Sequence, residues 1–107
     1  MADKGIIFQN LIAIANKKGI AVKFVDFKMH DGLVIGNKMG VRAGMSIDDI
    51  NYNIAHELAH CFLHYDKGDT INAVNHDEYE EQADRAAQLL LFTINQCIEC
   101  GKAGAAA

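Results

Sequence analysis

The sequence predicts a small α+β domain built from an N-terminal helix, a small antiparallel or mixed sheet, a central helix and a C-terminal helix. Three observations support this. Apolar residues recur at helical spacing in three separate segments, and between the first and second lie short alternating runs broken by glycine. The chain has 107 residues, half of them apolar, which is enough to bury one modest core and no more.

The first helix is expected over residues 4–18, where Ile7, Leu11, Ile14 and Ala15 share one face and Gly19 follows as a stop. Residues 20–27 alternate, with Ile20, Val22, Phe24 and Asp26 on one side. Short apolar runs follow at 33–35 and 39–41, separated by Gly32, Gly36, Asn37 and Gly40. Ser46 with Asp49 three residues later has the form of a capping box. Ile47, Ile50, Ile54, Leu58, Cys61, Phe62 and Tyr65 then trace one face of a helix ending near Asp66. Residues 66–75 are small, polar and loop-like. The last helix is expected over 77–98, with Ala83, Ala86, Ala87, Leu90, Leu91 and Ile94 as its buried stripe. One domain over 1–100 and a disordered tail at 101–107 complete the expected organisation.

Composition narrows the function classes. The net charge is −4 and no run of Lys or Arg occurs, which argues against direct nucleic-acid binding and against a membrane-surface footprint. The N-terminal residues read neither as a signal peptide nor as a membrane span. Three cysteines, Cys61, Cys97 and Cys100, are an odd number and imply no disulfide framework, so a cytoplasmic setting is expected. Proline is absent, and turns must use Gly, Asn and Asp.

His56, Glu57, Leu58, Ala59 and His60 spell H-E-x-x-H on the central helix. The i, i+4 spacing puts two imidazoles on one helix face, where they can share a zinc ion. His56, His60 and His64 fall roughly opposite the apolar stripe centred near Ile54. Beside such an ion the Glu57 carboxylate accepts a proton from the attacking water, the role of a general base.

A catalytic zinc takes three protein ligands, so one more is required. Glu80 lies at the edge of the last helix's apolar stripe, about 60° from its centre, whereas Glu78 and Glu81 point roughly 140° to 160° away. Glu80 is therefore the carboxylate expected to face inward. Asp84, one turn on, is placed to accept a hydrogen bond from a ligand imidazole. Rivals for the third position are Asp66, six residues after His60, and His76. Against Asp66, Leu63 stands where the extended pattern needs glycine, and every methionine precedes residue 46.

The stretch Ile54-Ala55-His56-Glu57-Leu58-Ala59-His60-Cys61-Phe62-Leu63-His64, followed by Glu80-Glu81-Gln82-Ala83-Asp84-Arg85-Ala86-Ala87, resembles the ImmA/IrrE family of metallopeptidases over roughly residues 20–92. The resemblance implies a minimal zincin-like domain with His56, His60 and Glu80 as zinc ligands and Glu57 as the catalytic carboxylate. It also implies a bacterial, phage or mobile-element setting, and a protein substrate such as a helix-turn-helix transcriptional repressor. Ala59 stands where the family pattern has Gly, Asp84 where it has Asn and Ala86 where it has an aromatic residue; the proline that often follows the Leu-Leu segment is absent.

Three further expectations follow. The strand at 39–42, just before the active helix, pairs with an extended substrate. His64, Tyr52, Tyr65 and Tyr79 are candidates for the oxyanion donor, with His64 also a structural hydrogen-bonding residue or a substrate contact. Cys97 and Cys100 form a C-x-x-C pair, but no second Cys or His pair completes a site and no thioredoxin-like strand precedes them. The competing class is a catalytically weak or inactive zinc-binding module that acts through protein–protein interaction.

Overall fold

In the computed structural model, which describes residues 3–64 and 76–100, two of three helices pack against a three-stranded sheet and the third packs on those two helices. The helices are α1 (Lys4–Lys17), α2 (Ile47–His64) and α3 (His76–Cys100). The strands are β1 (Ala21–Val25), β2 (Gly32–Ile35) and β3 (Lys38–Arg42). Each expected element of regular structure is present within a few residues of its expected bounds. The expected loop at 66–75 and tail at 101–107 lie outside the described residues.

Local chemistry accounts for the helix starts. The Asp3 carboxylate accepts from the backbone N–H of Gly5 at 2.7 Å and caps α1. Ser46 Oγ accepts from Asp49 N–H at 3.2 Å, and Asp48 and Asp49 sit in the first turn of α2, where negative charge meets the positive end of the helix dipole. The β2–β3 hairpin closes through Gly36 and Asn37. Gly36 has φ +61°, a conformation that suits the twist of a two-residue hairpin and that glycine adopts without penalty.

The sheet is mixed, with order β1-β3-β2: β3 pairs parallel with β1 and antiparallel with β2. The parallel pair arises because the chain passes from β1 through β2 before returning to the centre. The placement of β3 corrects one expectation. The strand at 39–42 has both edges occupied and offers no free ladder to a substrate; the edge strands are β1 and β2.

Register decides which side chains face the helices. Met39 and Val41 are wholly buried; Val34 and Gly32 lie opposite them on β2, and Val22 and Phe24 on β1. These residues share the inner face. The core joins Met39 and Val41 to Leu11 and Ala15 of α1, Ile54, Ala55 and Leu58 of α2, and Ala87 and Ile94 of α3. Helix α2 packs against α1, α3, β2 and β3, so it is the element around which the others are arranged. Small side chains at Ala55, Ala59, Ala83 and Ala87, all buried, leave α2 and α3 little bulk between them. Among the described residues no helix is long and apolar enough to cross a membrane.

Candidate metal centre

The seam between α2 and α3 contains the polar cluster. His56 and His60 project from α2, and their rings meet edge to face with centroids 4.9 Å apart. Glu80, in the second turn of α3, sits between them: Oε1 lies 3.1 Å from His56 Nε2, and Oε2 lies 2.7 Å from His60 Nε2. One ligand atom from each of the three residues lies within 4.8 Å of the others. Helical periodicity put the histidines opposite the apolar stripe. The structure covers that face with α3, leaving the two side chains only 14% and 13% exposed.

This donor set fits a divalent cation. Two imidazole nitrogens and a carboxylate oxygen suit zinc, whose bonds of about 2.0–2.1 Å in a tetrahedron set ligand atoms roughly 3.3 Å apart. The 3.1 and 2.7 Å contacts, one from each Glu80 oxygen, lie close to that separation.

The charges around the cluster are unequal. Burial pushes the Glu57 carboxyl up from 4.5 to about 7, and the negative charge of Glu80 adds to the rise. Burial acts on Glu80 in the same direction. There it is outweighed by the His60 charge and by the hydrogen bonds and charge of His56, and the net effect holds Glu80 below the usual carboxylate range. Cys61 follows Glu57 by one helical turn. Burial first, and the Glu57 charge second, push its thiol up, which disfavours the reactive thiolate.

Glu57 packs against the edge strand. A Cβ built on Gly32 would stand 3.3 Å from both Glu57 Cγ and Oε2, so the absence of a side chain in β2 leaves room for this carboxylate. An isolated glycine within a strand is a general signal of close approach, but nothing in the sequence said what approaches.

Asp84 reaches the His56 imidazole through a phenol. Its Oδ1 accepts from the Tyr52 hydroxyl, and Tyr52 Oη lies 3.4 Å from His56 Nδ1. Tyr52, expected as one of several oxyanion donors, is thus engaged with Asp84. Gln88 Nε2 donates to the other Asp84 oxygen at 3.1 Å. The i, i+4 spacings of Tyr52 to His56 and of Asp84 to Gln88 were legible signals for these contacts. His76 and Tyr79 begin α3 and are half-buried; neither belongs to the three-residue cluster. Cys97 and Cys100 are exposed on the last turns of α3 and unbonded to each other. The side chain of His64, together with Tyr65 and Asp66, lies outside the described residues.

A helix bearing H-E-x-x-H, closed by a carboxylate from the following helix and flanked by a short mixed sheet, defines a metallopeptidase-like domain. The family model described as the peptidase IrrE N-terminal-like domain matches residues 13–99, and the chain belongs to that family. No curated protein and no solved structure is matched by the chain.

Proposed function

We propose that this domain is a zinc-dependent endopeptidase acting on a protein substrate. The observation that supports it most directly is the meeting of His56 Nε2, His60 Nε2 and the two Glu80 oxygens, with Glu57 half-buried on the same helix. His56, His60 and Glu80 hold the zinc. When bound there, the ion supplies Lewis acidity that acidifies water and polarises a peptide carbonyl.

The remaining work falls to the chain's own groups. Glu57 accepts the proton of the attacking water at a carboxylate oxygen and then delivers it to the departing amine nitrogen. The outer edge of β2, whose Gly32 adjoins Glu57, has no neighbouring strand among the described residues, and an extended substrate strand pairs there. Family membership makes a helix-turn-helix repressor the first substrate to test.

The test combines metal analysis with cleavage of a repressor encoded beside this gene. Purified protein is expected to carry one zinc and to cut the repressor, whereas Glu57→Gln is expected to keep the zinc and lose the cut. Repressor inactivation that survives Glu57→Gln would instead identify a non-catalytic zinc module acting by binding.

A further inference from the structure

We infer that Tyr52 is a positioning residue for His56, relaying the hold of Asp84 onto the imidazole so that Nε2 presents its lone pair to the cation; this rests on the metal-centre reading above.

The argument starts from donors and acceptors. A carboxylate oxygen can only accept, so in the Tyr52–Asp84 contact the phenol supplies the proton and keeps its own lone pairs. Those lone pairs are the nearest polar partner of His56 Nδ1, at 3.4 Å. They can accept from Nδ1–H, the tautomer His56 must adopt when a cation takes the Nε2 lone pair; without a cation, Nε2–H donates to Glu80 Oε1 at 3.1 Å instead. Nε2 is the nitrogen that faces Glu80.

The geometry makes the relay directional. Tyr52 and His56 stand one turn apart on α2, with ring centroids 5.7 Å apart and planes tilted by 37°. Asp84 stands one turn beyond Glu80 on α3 and is held from behind by Gln88. Helix α3 thus grips the His56 ring from two sides: Glu80 acts at Nε2, and Asp84 acts at Nδ1 through Tyr52. A 3.4 Å contact is long for a hydrogen bond, so its effect is to hold a ring orientation rather than to add much binding energy of its own. The direct carboxylate–imidazole pair expected from the sequence is replaced by a longer chain whose middle member is a phenol.

Zinc affinity is measured by competition with a chromophoric chelator for the wild type, Tyr52→Phe, Asp84→Ala and the double variant. Tyr52→Phe removes only a hydroxyl, and circular dichroism checks that each variant folds. Loss of an outer partner of a ligand histidine typically costs about 10- to 100-fold in metal affinity, and Tyr52→Phe is expected near the lower end of that range. Because the two residues act in one chain, the double variant is expected to lose little more than the worse single variant. Long-range 15N–1H spectra of the zinc-loaded protein are expected to show a slowly exchanging His56 Nδ1–H in the wild type and a faster-exchanging one in Tyr52→Phe.

Unchanged affinity in Tyr52→Phe, fully additive losses, or an unaltered Nδ1–H exchange rate would each overturn the relay. Failure of the wild type to bind zinc would overturn the metal-centre reading instead, and the relay with it.

Discussion

The two walls of the cluster hold their carboxylates in opposite ways. On the β2 side, Glu57 is packed between α2 and the glycine of an edge strand, loses water, and is pushed up to about 7. On the α3 side, Glu80 keeps 40% of its side chain exposed but lies against two imidazoles, and it is held below the usual carboxylate range. Two carboxylates of similar intrinsic acidity are thereby separated into a proton acceptor poised near neutrality and an anion suited to hold a cation. Pairs of acids driven apart by their surroundings mark a division of chemical labour. The division here follows from which element each residue faces.

The comparison can be broken from either side, and the largest effect belongs to the Glu57 wall. Glu57→Gln should lower the cleavage rate by about 10²- to 10⁴-fold, the range for loss of general acid–base catalysis, while zinc stoichiometry stays unchanged. Next comes the Glu80 wall. Glu80→Ala removes a direct ligand and should weaken zinc binding by more than the ~10- to 100-fold typical of outer partners, as read by chelator competition. Retention of stoichiometric zinc in that variant would move the third ligand to another residue.

A third prediction sharpens the contrast through pH. Glu57 has a folded pKa raised above its unfolded value, so between about 5 and 7 the folded state binds more protons than the unfolded chain. The favourable contribution is complete below the unfolded value and is lost as pH rises through the folded one. Glu80, with its pKa lowered, contributes above its unfolded value and loses that contribution as pH falls, at more acidic pH. Metal-free wild type should therefore lose stability relative to Glu57→Gln by on the order of 1–3 kcal/mol between pH 5 and 8, measured by urea unfolding. A constant difference between the two proteins across that range would contradict the burial argument for Glu57.

The smallest expected effect tests the glycine that admits Glu57. Gly32→Ala places a methyl 3.3 Å from Glu57 Cγ and Oε2, tighter than ordinary contact, so the carboxylate must shift by a few tenths of an ångström. A displacement of about 1 Å can cost 10²-fold in rate, so a several-fold slower cleavage with unchanged zinc affinity is expected. Equal effects on rate and affinity would show that the edge strand acts on the whole cluster rather than on Glu57.

Much of this arrangement was legible before any coordinates. The i, i+4 histidines and the stripe from Ile54 to Leu58 identified α2, and the angular position of Glu80 singled out the acid that faces inward. Those signals are local, because a helix converts spacing directly into direction. Strand order was not local. Residues 39–42 read as a strand adjoining the active helix, yet nothing in their composition said that β1 would pair with them in parallel and leave β2 as the edge beside Glu57. Asp84 was assigned to the imidazole because both belong to the same seam, but the 3.4 Å approach of Tyr52 Oη to His56 Nδ1 inserted a phenol between them.

By itself, then, the sequence determined the helices, the two histidines and glutamate that H-E-x-x-H brings to one turn, and the acid that faces them. Only the tertiary structure decided that α3 covers the histidines, that Gly32 opens the space Glu57 occupies, and that Glu57 rather than Glu80 is driven toward neutrality. The reason is physical: spacing along a helix fixes direction, but exclusion of water and the proximity of charges depend on residues far apart in the chain, and these set the acidity of each group.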